Sequence, residues 1–146
     1  MTKVKDILEI KGSDVISVTP DTSVLEALKI MAKGKIGTIL VMEQEKLLGI
    51  FSERDFSRKV ILAGKTADIP ISEVMTQNVY YVSADRTTEE CLVLMTDKHI
   101  RHLPVVDGKK VIGVLSVLDL AKDVIKDQEI LITSLENFIT SREFNL

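Results

Sequence analysis

The sequence predicts a mixed α/β (α+β) fold: two β-α-β-β-α repeats packed face to face about a pseudo-twofold axis, plus a C-terminal helix. Three observations carry this. Sliding the 146-residue chain along itself by 64 residues aligns 15–61 with 79–125 without a gap. Fourteen of those 47 positions are identical: Val15, Val18, Asp21, Glu26, Leu28, Met31, Ile36, Val41, Lys46, Gly49, Ser52, Asp55, Val60 and Ile61 all recur. Each half also runs through the same order of hydrophobic periods, helical and then strand-like. Finally, a half of about 60 residues buries too little surface to be comfortable alone, so the halves need each other.

The elements follow in order. The lead-in Val4-Lys5-Asp6-Ile7-Leu8 matches Ile71-Ser72-Glu73-Val74-Met75 at a spacing of 67, so three residues are lost between lead-in and repeat. Val15 to Val18 is a short β-rich run, matched by Val79 to Val82. Val24, Ala27, Leu28 and Met31 recur at i, i+3, i+4 and i+7, an amphipathic helix repeated by Thr88, Cys91, Leu92 and Met95. Ser23-x-x-Glu26 and Thr87-x-x-Glu90 fit capping boxes at those helix starts. Gly37–Met42 and Lys46–Phe51 read as strands joined by a polar turn. Their counterparts His102–Val106 and Val111–Leu115 are joined through Asp107-Gly108, a hairpin signal. Each last strand runs into a helix at Ser52 or Ser116. Gly64 and Pro70 punctuate the junction, dividing the chain into 3–66, 67–126 and a tail of 127–146. The tail is expected to form a helix from Gln128, with Leu131, Leu135 and Phe138 on one stripe as a packing or dimer surface.

Composition narrows the function. Apolar residues make up 45% and charged residues 28%, the balance of a globular chain. The longest apolar runs are far short of the roughly 20 residues a membrane helix needs. The charged start of the chain is unlike a signal peptide, and the single Cys91 cannot form an internal disulfide, so a reducing cytoplasmic setting is expected. A net charge of −3 argues against a nucleic-acid reader, as does an aromatic content of 4% with no Trp. Charge is uneven: residues 1–66 hold 11 Lys/Arg against 9 Asp/Glu, and residues 67–126 hold 7 against 9. An anion site is therefore expected in the first half, or where isolated cations meet backbone donors.

The strongest chemical motif is Gly-h-h-Ser-x-x-Asp (h apolar), at Gly49–Asp55 and again at Gly113–Asp119. The glycine permits close approach to the backbone. A serine at a helix start leaves N–H groups to meet an anion. The aspartate one turn on can accept two hydrogen bonds from vicinal hydroxyls, as acidic residues do on ribose. Phosphate plus ribose suggests a nucleotide. Ser-x-x-Asp is also close to a capping box, and on that motif alone a purely structural role is the simpler reading. The repetition weighs against it, as do Arg54 and Arg58, which repel one another at i, i+4 unless an anion lies near. The second copy has Leu118 and Lys122 there, so Arg101-His102 at the strand entrance is its candidate cation source.

The repeated lead-in, Val-Thr-Pro-Asp, Arg-His-Leu-Pro-Val-Val and the doubled Gly-h-h-Ser-x-x-Asp resemble a tandem pair of cystathionine-β-synthase-type (CBS) domains, a Bateman module. The resemblance covers residues 3–126. It implies sensing of an adenosine-containing ligand (AMP, ADP, ATP, NAD or S-adenosylmethionine) in two inter-repeat clefts, with AMP or NAD favoured. It also implies homodimerisation and no catalysis. By that resemblance Ser52 and Asp55 serve one cleft, with Asp55 on the ribose. Thr19, Ile36, Gly37 and Thr38 would contact its adenine. Ser116 and Asp119 take the same roles in the second cleft, with Ser83, Ile100, Arg101 and His102. The phosphates would neutralise Arg54 and Arg58, or Arg101 and His102, changing the tilt of the repeats for a downstream protein partner.

Other readings fit less well. Cys91 lies on an apolar helical stripe, where a packing thiol is expected rather than a nucleophile. His99 and His102 span a helix end and a strand start without supporting ligands, so no metal is expected. The chain has no P-loop, Gly-x-Ser-x-Gly or Gly-x-Gly-x-x-Gly, and no catalytic cofactor is implied. A ligand-free interaction scaffold is the remaining alternative.

Overall fold

The structure is a computed structural model that describes residues 2–126 together with Thr133 and Glu136. Of the predicted tail helix only Thr133 and Glu136 are described, both helical, and its apolar stripe lies outside the described residues. The elements are α1 (Val4–Lys11), β1 (Ser17–Val18), α2 (Val24–Gly34), β2 (Thr38–Glu43), β3 (Lys46–Ser52), α3 (Glu53–Asp55), α4 (Thr88–Lys98), β4 (His102–Asp107), β5 (Lys110–Ser116) and α5 (Val117–Lys126). α3 continues as a π-helical segment, Phe56–Ile61, and a 3₁₀ turn spans Ile71–Glu73. No helix among the described residues is long and apolar enough to cross a membrane.

The 64-residue period holds down to the register. β1 pairs parallel to β2 through Val18 and Val41, and Val82 bridges Val105 in the same parallel sense. β2 and β3 pair antiparallel from Thr38–Ser52 to Glu43–Lys46; β4 and β5 do so from His102–Ser116 to Asp107–Lys110. Even the register irregularity recurs, between Val41 and Met42 and between Val105 and Val106. Both long helices end on a left-handed residue, Lys35 and His99.

Two expectations are corrected. The strand predicted at Val79–Val82 shrinks to the single bridge at Val82. Val79 N–H instead donates to Gln77 carbonyl in a tight turn, at 3.0 Å. The capping boxes are also reversed. Ser23 and Thr87 accept from the Glu26 and Glu90 N–H groups, but the glutamates do not complete the box; the Glu90 carboxylate goes to Arg86. The complete boxes are at Ser52–Asp55 and Ser116–Asp119, where each carboxylate accepts the serine N–H at 3.0 and 2.8 Å.

The lead-ins exchange between halves. Val4, Ile7 and Leu8 of α1 are buried with Cys91, Met95, Leu103, Leu115 and Leu120 of the second repeat. Ile71 and Val74 are buried with Val18, Val24, Met31, Ile39 and Phe51 of the first. The backbone agrees: Val4 N–H donates to Arg86 carbonyl and Val24 N–H to Ile69 carbonyl. The bridges Lys3–Thr87 and Ser23–Pro70 are equivalent under the two spacings, 67 for the lead-ins and 64 for the repeats. Thr38 Oγ1 and His102 Nδ1, themselves 64 residues apart, meet at 3.0 Å and mark the pseudo-twofold axis.

Candidate functional site

The ends of β3 and β5 carry the two repeated aspartates. At the first, Ser52 leaves the strand in an extended conformation and its side chain accepts the Asp55 N–H at 3.1 Å. Glu53 N–H donates to Gly37 carbonyl at 3.0 Å, tying the helix start to the start of β2. Val117 N–H makes the equivalent bond to Arg101 carbonyl at 2.8 Å. The structural reading of Ser-x-x-Asp as a helix cap thus holds at both copies. Capping occupies Asp55 Oδ2, while Oδ1 lies 3.4 Å from Lys59 Nζ and 3.5 Å from Thr76 Oγ1.

Asp55 lines a cavity of about 450 Å³ between the repeats, within the size range of small-molecule sites. Gly37, Thr38, Ser52 and Arg54 line it from the first half, with Ile100, Arg101 and His102 from the second. Some residues that the resemblance divides between two clefts therefore meet in one. Arg58 lies beside it, in an adjoining recess with Arg54, His99 and Arg101. Among the described residues, no carboxylate lies within ion-pair distance of Arg54, Arg58 or Arg101. The π-helical segment after Asp55 carries Arg58; such segments are frequent at functional sites.

Several predicted residues stand elsewhere. Thr19 is exposed and hydrogen-bonds Asp21 and Thr22; Ser83 hydrogen-bonds Asp85. Both hydroxyls serve the turn before a helix rather than the cavity. Ile36 packs against the first core and does not line the cavity, although its counterpart Ile100 does. Ser116 and Asp119 are in the second capping box, and Asp119 Oδ2 is 2.7 Å from Lys11 Nζ. Burial acts to raise the Asp119 carboxyl, but hydrogen bonds from Lys11 and Ser116 outweigh it and hold it below its ordinary value.

His102 lines the cavity from the second repeat. Burial first, then the nearby Lys11 and Arg101 charges, push its imidazole below the ordinary 6.5, against the opposite pull of Asp119. Its Nδ1 is hydrogen-bonded with Thr38 Oγ1 at the axis, and Arg54 and Arg101 are the arginines that line the cavity. Cys91 is fully buried, and burial raises its thiol to about 11, the behaviour of a packing residue.

Reading by motif missed Thr76, Asn78, Val79 and Tyr80, which also line the cavity. They lie between the second lead-in and Val82, where the spacing changes from 67 to 64 and no part of the Gly-h-h-Ser-x-x-Asp motif falls. The available signal was the substitution of Tyr80-Tyr81 for Ile16-Ser17, which places both tyrosines of the chain together.

Comparison with known proteins agrees with the two-repeat fold. The CBS domain profile matches residues 4–62 and 71–126. The CBS domain-containing protein CBSX3, mitochondrial, of Arabidopsis thaliana is 31% identical over 86% of this chain, which spans 66% of that protein's length. A putative signal-transduction protein with CBS domains from Burkholderia ambifaria has a solved structure 43% identical to this chain. It superposes with a TM-score of 0.84, over 87% of this chain and 96% of that one. The CBS domain pair of MJ0100, solved in complex with 5′-methylthioadenosine and S-adenosyl-L-methionine, is 30% identical. Its TM-score is 0.74, over 83% of this chain and 98% of that one.

Proposed function

The chain belongs to the CBS-domain family as a tandem pair, and on that premise we propose that it is a non-catalytic regulatory module that binds an adenosine nucleotide, AMP or NAD, at Asp55. One observation carries the reading. A single cavity brings a helix-capping aspartate together with two arginines, one from each repeat, that have no carboxylate partner among the described residues. The aspartate suits ribose hydroxyls and the arginines suit phosphate.

The charge favours a nucleotide over the ligands of MJ0100. S-adenosylmethionine is a net cation despite its carboxylate and methylthioadenosine carries no phosphate, so neither brings net negative charge to Arg54 and Arg101, which line the same cavity. A phosphate touching both would draw the two halves together and shift the population towards one relative tilt. That tilt is the signal passed to a protein partner. A second copy of the chain is one such partner, since Leu25, Ile61 and Leu62 in the first repeat and Val93, Leu118 and Val124 in the second are exposed apolar residues.

A thermal-shift panel tests this. AMP or NAD at about 100 times Kd adds roughly 2.7 kcal/mol, a rise in Tm of roughly 5–10 °C, with S-adenosylmethionine without effect. Asp55→Ala abolishes the rise. A panel of AMP, ADP, ATP and NAD that leaves Tm unchanged overturns the proposal and favours a ligand-free scaffold.

A further inference from the structure

The two repeated aspartates differ in what holds them. Asp55 has a cation from its own helix, Lys59, at 3.4 Å. The counterpart of Lys59 in the second copy is Asp123, so α5 supplies no such cation. Asp119 receives one from the far end of the chain instead. Lys11 Nζ lies 2.7 Å from Asp119 Oδ2 and donates to Val114 carbonyl at 2.7 Å, across more than a hundred residues of sequence. Val114 is the repeat counterpart of Ile50, whose carbonyl is taken by Thr76 N–H. Lys11 therefore engages both the carboxylate and a strand carbonyl at the second copy of the motif, where the resemblance implies a second cleft.

The lead-ins explain why only one cleft is treated this way. α1 keeps its helix as far as Lys11 and ends at Gly12, whose φ of 95° suits glycine. The second lead-in makes only the 3₁₀ turn at Ile71–Glu73, then turns away so that Thr76 can pair with Ile50. At the spacing of 67, Lys11 corresponds to Asn78, an uncharged residue that lines the open cavity.

We infer that Lys11 is a tethered occupant of the second cleft, so that the chain takes its nucleotide at Asp55 and not at Asp119. The inference rests on the nucleotide reading of the Asp55 cavity. A ribose approaching Asp119 would have to displace an ammonium that pairs ion to ion with the carboxylate at 2.7 Å, and it offers only neutral hydroxyl donors in exchange. Lys11 is thus the residue that sets how many nucleotides the chain holds.

Isothermal titration of the whole chain with AMP, and separately with NAD, tests this. The wild type should take up about one nucleotide per chain, all of it lost in Asp55→Asn; Lys11→Met should take up about two. The double variant Asp55→Asn/Lys11→Met should regain binding, and adding Asp119→Asn should remove it. Lys11→Asn, which copies Asn78, should behave like Lys11→Met, separating loss of charge from the packing of a new side chain. Two sites in the wild type overturn the inference and leave the nucleotide reading standing. So does a single site in both Lys11 variants, with circular dichroism showing them folded. Absence of heat in the wild type and in Lys11→Met alike overturns both.

Discussion

Gly49 sits on β3 where a side chain has no room. A Cβ there would lie 2.6 Å from Met75 Sδ and 2.9 Å from the Thr76 carbonyl oxygen. At Gly113 the Cβ would meet only Leu8, with the nearest atom the methyl Cδ2 at 2.7 Å. A side chain can turn aside, whereas a backbone carbonyl paired with Ile50 cannot without breaking a bridge. Gly49→Ala is therefore expected to cost about 1–3 kcal/mol and Gly113→Ala clearly less. Urea denaturation of the two variants checks the order, and equal losses would contradict the backbone argument. The same reasoning explains a glycine that the sequence singles out but cannot interpret. The motif marks it as a close-approach position; only the exchange of lead-ins identifies what approaches.

At the scale of elements, the strands and the two long helices were legible because each is bounded by strong local signals. β2–β3 and β4–β5 are short apolar runs joined by tight turns, and α2 and α4 carry apolar residues at helical spacing after a serine or threonine cap. The lead-ins were legible as a match but not as an exchange, since nothing in Val4–Leu8 distinguishes its own repeat from the other. Leu8→Ala removes a buried side chain from the second core, and Ile71→Ala does so in the first. Each should cost about 2–5 kcal/mol. Native-state hydrogen exchange locates the loss. Leu8→Ala should deprotect β4 and β5 before β2 and β3, and Ile71→Ala the reverse. Loss of protection in the variant residue's own repeat would contradict the exchange.

For the molecule as a whole, the contact between Thr38 and His102 at the axis joins the halves, and it makes stability sensitive to acid. His102 in the folded chain holds its proton less firmly than an ordinary histidine because it is buried. Below about pH 6.5 the unfolded chain takes up a proton that the folded one refuses, so stability falls with pH until the lowered folded pKa is passed. Above that range the group contributes no slope. The urea midpoint should drop between about pH 7.5 and 5.5 in the wild type, and the drop should shrink in His102→Gln. An unchanged drop would place the acid sensitivity elsewhere.

By itself the sequence determined the repeat, its period, the order of elements and the pair of Ser-x-x-Asp motifs, because these are local patterns written twice. It also pointed to Arg54, Arg58 and Arg101 as cations needing a partner. The low aromatic content excluded a stacking platform for nucleic acid, but not the aromatic residue in the cavity, since Tyr80 lines it from the stretch before Val82. Tertiary structure decided what depends on contacts between distant segments. Folding brought Arg54 and Arg101 to one cavity, set His102 against Thr38, and carried Lys11 to Asp119. Two copies of one motif therefore ended in different electrostatic surroundings. Periodicity specifies each copy alone, whereas the charge facing it is supplied by whichever segment the fold lays across it.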